Sequence, residues 1–137
     1  MIYLTRRERF NAAHMLWNDK WDEKKNIEIF GKCANRNWHG HNFELFVTIK
    51  GEINPETGFV INLKDLSKLV QHKVIDKLDH KNLNLDVDFM KGKMASTEVL
   101  AISIWEELET SITDLGASLH CIKVLETENN FVEYFGK

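Results

Sequence analysis

Residues 40–51, GHNFELFVTIKG, alternate apolar and polar side chains with the two-residue period of a β-strand. His39, His41, Phe43, Leu45, Val47 and Ile49 fall on one face, with Gly40, Asn42, Glu44, Phe46, Thr48 and Lys50 on the other. The apolar face belongs in a core, so the two histidines look inward with it. Just upstream, 33–42 read CANRNWHGHN, which sets a thiol ahead of the two imidazoles. Imidazole nitrogens are ordinary zinc ligands, although a lone His-x-His also arises where histidines merely end a strand and bond locally. A third ligand separates these readings. The opening segment, IYLTRRERFNAAH at 2–14, alternates as well, with His14 on the side of Ile2, Leu4, Phe10 and Ala12, and with Arg6 and Glu8 interrupting that face. Antiparallel pairing of the two strands would bring His14 beside His39 and His41. Three histidines leave a tetrahedral zinc one open position, the pattern of a catalytic rather than a closed structural site.

Beyond the second strand, NPETG is a turn signal, and the pattern predicts a hairpin closed by GFVIN at 58–62. Asn62 is placed to cap a helix in which Leu63, Leu66, Val70 and Leu78 recur at helical spacing, ending near Asp79. The polar stretch 79–93, without a sustained period, reads as a loop carrying Asp79 and His80. Ser96 or Thr97 caps a second helix whose stripe is Leu100, Ile104, Trp105, Leu108 and Ile112, with Glu98 in the first turn where it suits the helix dipole. Residues 119–127 alternate again, and Glu128, Asn129 and Asn130 turn the chain into a last strand, FVEYF. The order β-β-α-α-β-β predicts an α+β domain of two layers: a four-stranded antiparallel sheet with two helices on one face. Such a sheet leaves two free edges, and no run of edge lysines or prolines blunts them, so assembly by edge pairing is expected.

The chain has 137 residues, 43% of them hydrophobic, and a single proline, which suits one domain over 1–137. A formal charge of −3 with scattered basic residues gives no footprint for nucleic acid. There is no 18-residue apolar run for a membrane span and no apolar leader at the N-terminus, so the expected compartment is the cytosol. Cys33 and Cys121 form no C-x-x-C pair, which argues against a disulfide framework and against a thiolate-rich metal site.

The segments FNAAH, GKCANRNWHGHN, GEINPETGFVINLKDL, LDHKNLN, STEVLA and LETENNFVEY occur in this order along almost the whole chain. Together they resemble the 6-pyruvoyl-tetrahydropterin synthase family. The resemblance implies a T-fold in which trimers close their sheets into a barrel and two trimers stack into a homo-hexamer, removing the free edges. It implies a catalytic zinc held by His14, His39 and His41, a catalytic cysteine at Cys33, and an Asp-His pair at Asp79 and His80 supplied across a subunit interface. It also implies that Glu126 grips the pterin ring and is linked to proton relay, with further pterin contacts at Ser96, Thr97 and Glu98. Five residues separate Cys33 from His39, as in enzymes making 6-pyruvoyl-tetrahydropterin, whereas the 6-carboxy enzymes of queuosine synthesis usually have three. Met15 and Asn11 depart from the basic residue and the serine that many relatives carry there.

The expected activity is therefore a zinc-dependent lyase reaction on 7,8-dihydroneopterin triphosphate with loss of triphosphate. The alternative is the 6-carboxy product with release of acetaldehyde, and a further one is a catalytically silent pterin-binding module. Taken without the resemblance, Cys33 also reads as an inert buried thiol, Asp79 and His80 as a helix end, and Glu126 as a strand-end charge.

Overall fold

The apolar side of 39–51 finds its partner in the N-terminal strand, and the sheet grows outward from that pair. The computed structural model describes every residue from Met1 to Lys137. In it β1 (Ile2–His14) and β2 (His39–Gly51) run antiparallel in unbroken register, from Ile2 opposite Gly51 to His14 opposite His39. β3 (Lys81–Asn82) lies parallel to β1 on one side, while β4 (Ser118–Leu125) and β5 (Phe131–Tyr134) extend the sheet on the other, giving the order β3-β1-β2-β4-β5. The sheet thus has five strands and is mixed, where the sequence pattern led to four antiparallel ones. A two-residue strand has no period to read, and β3 forms because the chain leaving Leu78 is laid against Ala12 and Ala13.

The hairpin expected after β2 does not form. β2 is bonded to β1 along its whole length and to β4 from Glu44 to Lys50, so 58–62 has no free strand edge to join. The segment is instead a loop closed by the Asn54 N–H donating to the Phe59 carbonyl at 3.1 Å, and it sends Ile61 into the core. It crosses close to the end of β2: a Cβ at Gly51 would stand 2.6 Å from Val60 Cγ1.

Helix α1 (Glu23–Phe30) was not foreseen. It has the signals of a helix start, since the Asp22 carboxylate accepts from the Lys25 N–H at 2.8 Å. It buries the polar Asn26, however, and leaves Ile27 and Ile29 exposed, so it shows no apolar stripe. A tight 3₁₀ turn, Gly31–Ala34, follows and carries Cys33. The Asn62 cap does form: its side chain accepts from the Lys64 N–H at 2.9 Å and opens α2 (Leu63–Val70). A wide π-type turn over Gln71–Ile75 and the short α3 (Asp76–Leu78) continue the helical run to Asp79, burying Leu66, Val70, Val74, Ile75 and Leu78 in succession. α4 (Thr97–Asp114) starts at the Ser96 cap and lays Leu100, Ile104, Leu108 and Ile112 on the inner face of the sheet.

One core of 26 buried residues joins that face to the helices. β4 contains a one-residue irregularity: Thr48 opposes Cys121 but Ile49 opposes Leu119. The bulge rephases the strand, so Leu119 and Ile122 both point inward although an odd number of steps separates them. Ile122 and Val124 then set the phase that carries Glu126 to the inner side. No helix is long and apolar enough to cross a membrane.

Candidate metal centre and active site

The register of β1 and β2 decides the geometry of the histidines. His14 lies opposite His39, and His41 follows two residues along on the same inward face, so the three rings gather with centroids 4.5, 5.1 and 4.9 Å apart. Phe43 packs edge-on beneath His14 and His41, and Phe10 stacks on Phe43 at 4.9 Å, giving the cluster an apolar floor. Burial lowers the pKa of all three imidazoles below the usual histidine value, with the neighbouring histidines adding to the effect. The rings are therefore neutral around pH 7.

His14 Nδ1 lies 2.7 Å from the Ala95 carbonyl, which can only accept, so Nδ1 carries the proton and Nε2 keeps its lone pair. That Nε2, together with His39 Nδ1 and His41 Nε2, is buried with no hydrogen-bond partner. One nitrogen from each ring lies within 4.8 Å of the others. Buried polar atoms are normally paired, and three neutral imidazoles, each with an unpartnered buried nitrogen and each bringing a nitrogen within 4.8 Å of the other two, fit a cation that accepts nitrogen ligands. The Ala95 carbonyl is the second-layer partner such ligands usually have, and no sequence signal marked it.

The cluster opens into a cavity of about 480 Å³ lined by His14, Leu16, Cys33, Ser96, Thr97, Glu98, Glu126 and the 129–132 segment. Glu126 follows β4 directly, and its backbone N–H donates to the Asn130 carbonyl at 3.1 Å, closing the turn into β5. The Thr97 hydroxyl donates to Glu126 Oε2, and Glu126 Oε1 stands 3.5 Å from His41 Nε2. The N-terminal end of α4, whose dipole favours negative charge, therefore faces the Glu126 carboxylate. Cys33 is half-buried, and its carbonyl accepts from the Leu16 N–H at 2.8 Å, which ties its turn to the chain two residues past His14. Of the residues expected at the site, His14, Cys33, Ser96, Thr97, Glu98 and Glu126 thus share one cavity, with His39 and His41 beside His14. Cys121 lies apart from the cavity, buried on β4, and burial pushes its thiol pKa up.

Asp79 and His80 do not line this cavity. They lie past α3 against β1, where they border a hollow with Asn11 and Asn42, side chains of the face opposite the histidines. Asp79 Oδ1 accepts from the Asn11 N–H at 2.9 Å, and Oδ2 lies 3.0 Å from His80 Nδ1. The Asn11 bond, helped by His80, holds the Asp79 carboxyl below the usual carboxylate range. His80 donates its backbone N–H to the Asn11 carbonyl at 2.7 Å and sits at φ 60°, a left-handed conformation that costs a side-chain-bearing residue about 1–2 kcal/mol. Its side chain is 77% exposed, so the pair faces outward from the subunit. Asn11 had stood out only as a departure from serine; its backbone is the clamp on both residues.

The family described as 6-pyruvoyl tetrahydropterin synthase matches residues 3–137. A relative from Dictyostelium discoideum described as 6-pyruvoyl tetrahydrobiopterin synthase is 46% identical over 136 residues, 99% of this chain and 97% of its own length. A relative of the same description from Homo sapiens is 42% identical over 134 residues, 98% of this chain and 91% of its own. The solved structure of 6-pyruvoyl tetrahydropterin synthase from Caenorhabditis elegans matches with a TM-score of 0.92 at 36% identity, covering 99% of this chain and 96% of that one.

Proposed function

This chain belongs to the 6-pyruvoyl tetrahydropterin synthase family, and from that premise we propose that it converts 7,8-dihydroneopterin triphosphate to 6-pyruvoyl-tetrahydropterin with elimination of triphosphate. The observation that carries the reading is the clustering of three histidines with unpartnered nitrogens, one of them His14 in the wall of the cavity that also holds Cys33 and Glu126. His14, His39 and His41 would hold zinc. The ion, when bound, supplies a Lewis acid that acidifies the hydroxyls of the substrate side chain and steadies the charge developing as a carbon-bound proton leaves.

Cys33 acts as the base that takes this proton; a positioned base is worth about 10²- to 10⁴-fold. Glu126, its Oε2 held by the Thr97 hydroxyl, binds the amino and ring N–H groups of the pterin, which discriminates against rings lacking those donors. Ser96 and Glu98, at the start of α4, line the ring's side of the cavity. Asp79 and His80 return the proton, the carboxylate fixing the imidazole tautomer. Since they face outward, they serve the cavity of a neighbouring copy, in keeping with a hexamer whose strand edges close barrels. The five-residue spacer between Cys33 and His39 and the names of the relatives support the 6-pyruvoyl product over the 6-carboxy one.

The test is incubation of zinc-loaded protein with 7,8-dihydroneopterin triphosphate, the pterin product identified by mass spectrometry and acetaldehyde assayed in parallel. A 6-pyruvoyl product without acetaldehyde is expected. Acetaldehyde with a 6-carboxy product would move the chain to the other reaction, and no turnover would leave a pterin-binding module.

A further inference from the structure

The spacer between Cys33 and His39 is held at its start by buried Ala34 and is exposed in its middle. Asn35, Arg36 and Asn37 are exposed, and the backbone bonds within the spacer are short-range: Asn35 N–H to the Lys32 carbonyl at 3.2 Å and Trp38 N–H to the Asn35 carbonyl at 3.1 Å. Trp38 sits at φ 68°, a left-handed conformation that a bulky residue resists, immediately before the ligand His39.

The Arg36 guanidinium stacks over the Trp17 ring at 4.7 Å from its centre, and Arg36 Nη2 reaches Glu23 Oε2 at 3.7 Å. Trp17 is itself a fixed platform. Its neighbour Asn18 donates its N–H to Asn26 Oδ1 at 2.7 Å, and its carbonyl accepts from Asn26 Nδ2 at 3.0 Å. Asn26 is fully buried and spends its remaining amide hydrogen on the carbonyls of Trp21 and Asp22. One residue before Trp17, Leu16 bonds the Cys33 carbonyl. The strand exit 14–18 therefore grips the Cys33 turn at two points: a backbone bond on the thiol's own residue and the aromatic face under Arg36.

We propose that Arg36 and Trp17 form a positioning pair that holds the Cys33 turn in register with the histidine cluster. The proposal rests on the reading of Cys33 as the base. An exposed cation–π contact is worth about two- to fivefold in an equilibrium constant, so its removal raises the ratio of displaced to in-place Cys33 turns by that factor.

The experiment compares zinc-loaded wild type with Arg36→Ala, Arg36→Lys, Trp17→Phe, Trp17→Ala and the double variant Arg36→Ala/Trp17→Ala. It reads kcat and KM, zinc content, circular dichroism, and the rate of Cys33 alkylation by iodoacetamide mapped by peptide mass spectrometry, with buried Cys121 as the internal reference. Arg36→Ala is expected to raise the Cys33 alkylation rate about two- to fivefold, with kcat lowered by less than that factor and KM and zinc content unchanged. Arg36→Lys and Trp17→Phe, which keep a cation and an aromatic face, should stay near wild type. The double variant should be no worse than Arg36→Ala. Unchanged Cys33 alkylation in Arg36→Ala, whose exposed side chain poses no folding problem, would overturn the proposal, as would alkylation effects of Arg36→Ala and Trp17→Ala that simply multiply in the double variant. Cys33→Ala separates the two ideas: full turnover there refutes the base reading, whereas a dead Cys33→Ala beside an unaffected Arg36→Ala refutes the positioning pair alone.

Discussion

Removing the metal should cost this protein a large and pH-dependent share of its thermal stability. Three buried nitrogens without partners each leave about 1–3 kcal/mol of desolvation uncompensated, so a bound ion has about 3–9 kcal/mol to relieve. Mass action gives a compatible scale, since a ligand at a thousand times its Kd stabilises by about 4 kcal/mol. With an unfolding entropy of about 2.1 cal/mol/K per residue, 137 residues correspond to about 0.3 kcal/mol/K, so the expected rise in Tm is about 14 °C. The sign of the pH effect follows from the lowered pKa of His14, His39 and His41. The folded chain keeps them neutral while the unfolded chain takes up protons below about pH 6.5. Stability of the metal-free protein is thus fully present above that pH and falls as pH drops toward the lowered folded values, by up to about 1.4 kcal/mol per pH unit for each histidine. Protons also compete directly for the ligand nitrogens, so the zinc-induced shift shrinks in the same window. Differential scanning fluorimetry of chelated protein, with and without restored zinc, at pH 7.5 and 5.5 and on His39→Ala, measures all of this. Equal Tm with and without zinc at pH 7.5, or a full zinc shift in His39→Ala, would refute the reasoning.

Three further outcomes are expected. Thr97→Val removes the hydroxyl that donates to Glu126, a bond to a charged group worth about 1.5–3 kcal/mol, and should weaken pterin binding at least tenfold in a fluorescence titration, with Thr97→Ser near wild type; wild-type affinity in the valine variant would release Glu126 from its dependence on Thr97. Asp79, its pKa lowered chiefly by the Asn11 N–H, stabilises the fold above the ordinary carboxylate range and loses that contribution as pH falls through its folded value. Urea midpoints of wild type and Asp79→Asn should therefore differ at pH 7, and the difference should shrink progressively as pH falls below the ordinary carboxylate range; a constant difference would contradict this. Gly51→Ala drives a methyl against the stiff Val60 side chain and should cost about 1–3 kcal/mol by urea unfolding, while the added Val60→Ala should recover part of it.

Local periodicity was enough to read β1, β2 and α4, the Asn62 and Ser96 caps, and the inward turn of His39 and His41, because a side chain's face within one strand or helix depends only on its spacing from its neighbours. The pattern failed where structure is set by what lies alongside. The segment 58–62 has strand composition yet stays a loop, because β1 and β4 already occupy both edges of β2. α1 buries an asparagine instead of a stripe, and β3 is too short to show a period.

The site divides in the same way. The residue types that could hold a metal or move a proton stand in the sequence as CANRNWHGHN, FNAAH, DHK and LETENN. Their assembly is a tertiary fact. The register of β1 on β2 brings His14 to His39, the packing of α4 on the sheet sets Thr97 against Glu126, and the turn against Asn11 sends Asp79 and His80 outward. The sequence by itself determined the chemistry available and the faces of the elements that bear it, since both are local properties. Only the tertiary structure decided which of those groups meet, since strand register and edge occupancy depend on backbone bonds between segments far apart in the chain.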